Sequence, residues 1–140
     1  MGARRTARER ALQALYQLEM TDGGADDALA AAWGASAEAE TPDPETQRFA
    51  RELVSGVRSN LAEIDALIRE YSHHWRIDRM TRIDRNVLRI GIFELKYRAD
   101  IPRSVSIDEA VELGKKYGTE ESSAFVNGLL DRIAQALSKA

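Results

Sequence analysis

"VLRIGIFEL", residues 87–95, decides the fold. Apolar side chains fall on nearly every side of it (Val87, Leu88, Ile90, Ile92, Phe93, Leu95), yet Arg89 and Glu94 interrupt it. It also falls well short of the roughly 18 consecutive apolar residues that a membrane span requires. A run that is apolar all round but carries isolated charges reads as a helix surrounded by other helices. The stretch from about 80 to 97 is therefore the expected central helix of an all-α fold, with "DIPRS" (100–104) ending it at Pro102.

The flanking segments repeat the helical period. Upstream, Phe49, Leu53, Val57 and Leu61 recur every fourth residue, and Ile64, Leu67, Ile68 and Tyr71 continue the pattern. Asp43 reads as an N-cap with Pro44 at the first helical position, and Asn60 followed by Glu63 restarts a helix. Downstream, "SIDE" (Ser106, Glu109) reads as a capping box opening a helix that ends near "YGT", with Gly118 as a left-handed C-cap. The last helix carries Phe125, Leu129, Ile133 and Leu137 in one stripe, with Val126 and Leu130 beside it.

At the other end, "TARE" predicts a first helix capped by Thr6, with Glu9 reaching back and Ala11, Leu12, Ala14, Leu15 and Leu18 on one face. Residues 1–5 then form a flexible basic arm, and 21–43 an acidic connection. Within that connection "DDALAAAW" is expected to make a short helix. "GASAEAETP" is expected to remain mobile, because little apolar surface offsets the entropy of ordering it. No strand alternation and no internal repeat is visible. The expectation is one compact all-α domain over residues 1–140, with about six or seven helices.

Composition narrows the chemistry. The 140 residues are 44% hydrophobic and 31% charged, an ordinary globular mix. A chain of this size buries roughly two thirds of its unfolded surface without metal or disulfide. Cysteine is absent, which excludes thiol catalysis and thiolate metal sites and fits a reducing cytoplasm. No G-x-S-x-G, P-loop, G-x-G-x-x-G or H-E-x-x-H motif occurs. The two histidines, His73 and His74, are sequence neighbours; on a helix they point about 100° apart, poorly placed to share a metal, and read as a solvated helix end. No enzymatic site, cofactor or metal is expected.

Charge placement says more than the net −3. Residues 1–10 hold four arginines (Arg4, Arg5, Arg8, Arg10) and one acid, whereas 11–47 hold eight acids and no lysine or arginine. A second basic stretch, 76–103, has eight Arg or Lys against four acids. From composition alone, the terminal arginines serve solubility or meet a polyanion, and both readings stand. An RNA reading would need aromatic faces as well as cations. Tyr16 lies two helical turns beyond Arg8 and offers one, whereas periodicity alone puts Phe125 in the core.

Four stretches in order, "RRTARERALQALY" (4–16), "IDRNVLRIGIFEL" (83–95), "IPRSVSIDEAVELGKKYG" (101–118) and "SSAFVNGLLDRIA" (122–134), resemble the NusB transcription antitermination factors. The resemblance implies an all-α fold of two packed helical subdomains. It implies binding of the boxA element of nascent ribosomal-RNA leaders together with NusE, a small-subunit ribosomal protein, in the RNA polymerase antitermination complex in the cytoplasm. Carried onto this chain, RNA contacts fall on Arg4, Arg5, Arg8, Gln13 and Tyr16, and on Glu121 and Phe125, which overturns the core reading of Phe125. The NusE-facing surface falls on Asp84, Arg85 and Arg89. Where some members carry a third arginine this chain has Thr6, which shifts more of the binding to the partner. Two rivals are a protein-binding adaptor or homodimer that covers its basic surface, and a relative of the RNA-targeting region of ribosomal-RNA cytosine methyltransferases. The methyltransferases need a long catalytic domain with a methyl-donor site, which is not expected within 140 residues.

Overall fold

A computed structural model of the chain describes residues 2–35, 42–72 and 77–138. They form α1 (Ala3–Leu18), α2 (Ala25–Gly34), α3 (Pro44–Ser59), α4 (Leu61–Tyr71), a one-turn 3-10 helix (Ile77–Arg79), α5 (Arg82–Tyr97), α6 (Arg103–Tyr117) and α7 (Ser122–Ala136). No strand occurs among the described residues. The chain divides into two compact units, Met1–Arg58 and Ser59–Ala140.

In the second unit α5 is the central helix that its sequence calls for. Val87, Leu88, Ile90 and Ile92 are buried, and α4, α6 and α7 pack round it. Each such side chain contributes about 1.5–3 kcal/mol when fully buried. Thr81 starts the helix by accepting from the Asp84 backbone N–H at 3.1 Å. Gly91 allows close approach of α7: a Cβ there would lie 2.7 Å from Leu130 Cδ1. The two charges that interrupt the apolar run each meet a neighbouring helix. Arg89 grips Asp65 of α4, and Glu94 accepts from Ser106 Oγ of α6 at 3.0 Å. Both are therefore buried with partners, as a charge in an apolar interior must be.

In the first unit, Ala7, Ala11, Leu12, Ala14 and Leu15 form the buried stripe of α1. Alanines on both α1 and α2 (Ala28, Ala32) keep the side chains short where these two helices pack. From α3, Phe49, Ala50, Leu53, Val54 and Val57 are buried. Asp43 caps α3 as its sequence predicts, accepting from Thr46 N–H at 2.8 Å.

Several local expectations change. Helix α1 starts at Ala3 with Gly2 as its N-cap, so Thr6 is not the cap, and Arg4 and Arg5 are helical rather than a flexible arm. The Thr6 N–H already donates to Gly2 O at 3.2 Å, which makes it part of the first turn. The acidic 21–43 region is not linker throughout, because α2 occupies Ala25–Gly34 and buries Ala28, Leu29 and Ala32. The 36–41 part of that region, Met1, and the pair His73 and His74 lie outside the described residues.

Helix α5 ends at Tyr97, four residues before Ile101, so Pro102 does not terminate it; Pro102 is instead the N-cap of α6. Ser106 sits inside α6 and is spent on Glu94, so "SIDE" is not a cap. Asn60 does precede α4, but its side chain makes no cap bond. Gly118 follows α6 with φ −97°, not left-handed. Its lack of a side chain matters for space: a Cβ there would lie 2.4 Å from Ser122 Oγ and 2.8 Å from Gly114 O.

Candidate nucleic-acid interface

Arg4, Arg8 and Arg10 of α1 lie over aromatic rings. The Arg4 guanidinium lies 4.7 Å from the centroid of Phe49 on α3, and that of Arg8 lies 5.3 Å from the same centroid. Arg10 lies 5.8 Å from the Trp33 ring of α2 and donates to Gln13 Oε1 at 3.1 Å. No acid occupies the first turn of α1, where the helix dipole disfavours a cation by about 0.3–1 kcal/mol. A cation–π contact, at about 0.5–1 kcal/mol where exposed and more where desolvated, offsets that cost. Hence the helix tolerates Arg4 in its opening turn.

The predicted contacts of α1 differ in exposure. Arg4, Arg5 and Tyr16 are exposed and Gln13 is half-buried. Arg8 is only 3% exposed, so it faces the interior of its unit rather than solvent. The motif marked it as a cation but could not show where the side chain goes.

In the second unit a cavity of about 440 Å³ is lined by Arg79, Met80, Thr81, Asp84, Thr119, Glu121 and Phe125. It brings together Glu121 and Phe125, expected on RNA, with Asp84, expected on NusE. Phe125 is half-buried, neither a core residue nor fully exposed. The turn before α7 sets this wall: Thr119 N–H donates to Ser122 Oγ at 2.9 Å, and Thr119 Oγ1 donates to Glu121 Oε2 at 3.1 Å. Asp84 Oδ1 is buried and has no hydrogen-bond partner among the described residues. An orphaned buried acceptor of this kind costs about 1–3 kcal/mol.

The α5 charges are largely committed within the unit. Arg89 donates from Nε to Asp65 Oδ1 and from Nη2 to Asp65 Oδ2, both at 2.9 Å, and from Nη1 to Asn86 Oδ1 at 3.2 Å. It is buried, so its place is between helices and not on a docking surface. Arg85 Nη1 donates to the carbonyls of Ile77 and Met80 at 3.0 and 3.2 Å, tying the 3-10 turn to α5. Sequence reasoning missed Phe49 and Trp33 as platforms and Asp65 as the partner of Arg89. An aromatic at a core position four residues from the next apolar one reads as packing, and acids sharing a helix face with Asp65 are indistinguishable from it in sequence. Among the described residues no group of acids and histidines is placed to hold a metal, and no helix is long and apolar enough to cross a membrane.

Comparison with known proteins settles the family. A model of the NusB family matches residues 5–135. The chain belongs to the NusB family. It is 69% identical over 139 residues to "Transcription antitermination protein NusB" of Myxococcus xanthus, covering 99% of each chain. Its fold matches a solved structure of T. maritima NusB with a TM-score of 0.83 at 41% identity, covering 94% of this chain and 90% of that one. It also matches a chain in a solved structure of the antitermination factors NusB and NusE in complex with double-stranded RNA, with a TM-score of 0.83 at 28% identity, covering 96% and 97%. The all-α fold expected from the sequence is thus the fold of this family.

Proposed function

We propose that the chain is a transcription antitermination factor that binds the boxA element of nascent ribosomal-RNA leaders together with NusE and supports read-through by RNA polymerase. It works by binding, not catalysis, and in the cytoplasm where its RNA is made. The observation that carries this reading is Phe125, half-buried on the wall of a cavity that also holds Glu121 and Asp84. An accessible ring offers a base a stacking face, and carboxylates accept from base N–H groups. Arg4 and Arg5 supply phosphate contacts that position the strand without reading it. The NusB relatives and the neighbour solved with NusE and RNA support the same reading.

The residues divide accordingly. Arg4, Arg5, Tyr16, Glu121 and Phe125 meet RNA, with Gln13 holding Arg10 on α1. Asp84, on the cavity wall, joins the RNA group. The opening turns of α5, with Arg82 exposed and Arg85 half-buried, are the NusE-facing surface, and Arg89 supports them from inside. The test is a pull-down with NusE, with and without single-stranded boxA RNA. NusE is expected to be retained, and more strongly when RNA is present. Retention of neither NusE nor boxA RNA would refute the proposal.

A further inference from the structure

Two arginines of α1 share one ring on α3. Arg4 and Arg8 lie 4.7 and 5.3 Å from the centroid of Phe49, which is itself 5% exposed. We infer that Phe49 is a positioning residue for RNA binding, holding the Arg4 guanidinium ready for a phosphate; this rests on the RNA reading above.

Arg4 is exposed and long, so an unrestrained side chain would lose much rotamer freedom on meeting a phosphate. Attraction to a ring face restrains it beforehand while consuming none of its five N–H donors. Phe49 is also a fixed platform, because it is buried. Finally, Arg8 is 3% exposed and does not itself reach solvent. Its place on the same ring leaves Arg4 as the arginine of the pair that meets a phosphate. A leucine at position 49 would fill similar space but lacks the ring's negative face, whereas tyrosine keeps it.

The experiment measures single-stranded boxA RNA affinity for the full chain and for Arg4→Ala, Arg4→Ala/Arg5→Ala, Phe49→Leu, Phe49→Tyr and Phe49→Leu/Arg4→Ala. Phe49→Leu is expected to weaken binding about twofold to fivefold, the size of an exposed cation–π contact expressed as affinity. Phe49→Tyr is expected to restore it, and in the Arg4→Ala background the leucine is expected to cost little more. In the wild-type chain, ¹⁵N relaxation should show the Arg4 Nε–H more ordered than in a short peptide of residues 2–10. Wild-type affinity in Phe49→Leu, an equal cost with and without Arg4, or an Arg4 Nε–H as mobile as in that peptide would each overturn the inference. If Phe49→Leu loses its helical circular dichroism, the wild-type relaxation result decides. If Arg4→Ala/Arg5→Ala leaves RNA affinity unchanged, the RNA reading of α1 fails as well. If that variant binds weakly while Phe49→Leu binds normally, only the role of Phe49 falls.

Discussion

Arg89 holds Asp65 through two parallel hydrogen bonds of 2.9 Å, joining α5 to α4. The two side chains are about as buried as each other, at 10% and 11% exposure. Removing one partner strands the other charge, so Arg89→Ala or Asp65→Ala is expected to cost about 3–5 kcal/mol in stability. Urea unfolding measures it. Arg89→Lys should recover little, since a lysine cannot reproduce the two-pronged contact. A loss under about 1 kcal/mol would show that the pair is not desolvated, the regime of surface ion pairs.

Phe125 supplies a second prediction. Because it is half-buried at a cavity wall, Phe125→Ala should leave helical content intact while weakening boxA RNA binding by about 1–3 kcal/mol, the worth of a lost stacking face. Circular dichroism and RNA titration on the same sample separate the two effects. Loss of helix would return Phe125 to the core.

Gly118 ties the fold to that wall. Its φ of −97° suits any residue, so Gly118→Ala carries no backbone strain. Its added methyl would nevertheless meet Ser122 Oγ and Gly114 O. The carbonyl belongs to the backbone and cannot swing aside. A loss of about 1–3 kcal/mol in unfolding free energy is expected, as for other overpacked sites. RNA affinity should fall with it, because the same turn sets Glu121 and Phe125.

Much of this architecture was legible in the sequence. The α5 run announced a helix surrounded by others, and Asp43–Pro44 marked the start of α3, because apolar period and proline geometry are local properties. Cap chemistry was legible only where it had no competitor. Thr6 and Ser106 both look like caps, but one lies inside a helix that begins at Ala3 and the other is spent on Glu94. Charge partners were not legible at all: nothing local distinguishes Arg89, bound to Asp65, or Arg8, stacked on Phe49, from the exposed Arg5. Those differences arise from residues 24 and 41 positions away, which come close only in the folded chain.

Glu63, Tyr97 and Lys96 predict a pH dependence. The Glu63 carboxyl is held below its ordinary 4.5, first by the hydrogen bond from Tyr97 and then by that from Lys96 and its charge. The Tyr97 hydroxyl is pushed above 10.0, first by burial and then by its bond to Glu63. A depressed acid stabilises the fold above its unfolded value and loses that contribution as pH falls through the folded one; a raised tyrosine stabilises below its unfolded value and loses it as pH rises. The stability that Tyr97→Phe removes should therefore be constant between 4.5 and 10.0 and shrink outside that window. Urea midpoints of the two proteins across pH measure it. A difference that stays constant below 4.5 would show that the carboxylate form of Glu63 does not matter to the contact.

Salt gives the last prediction, and the structure changes its size. From the sequence, Arg4, Arg5 and Arg8 all count as phosphate contacts, yet Arg8 is buried against Phe49. Two exposed cations therefore remain on this part of α1. On single-stranded RNA each neutralised phosphate contributes about −0.7 to the log–log slope of affinity against salt. Replacing Arg4 and Arg5 by alanine should thus flatten the slope by about 1.4, and replacing Arg8 as well should flatten it little further. A full additional 0.7 on loss of Arg8 would instead mean that its side chain leaves Phe49 to meet a phosphate directly.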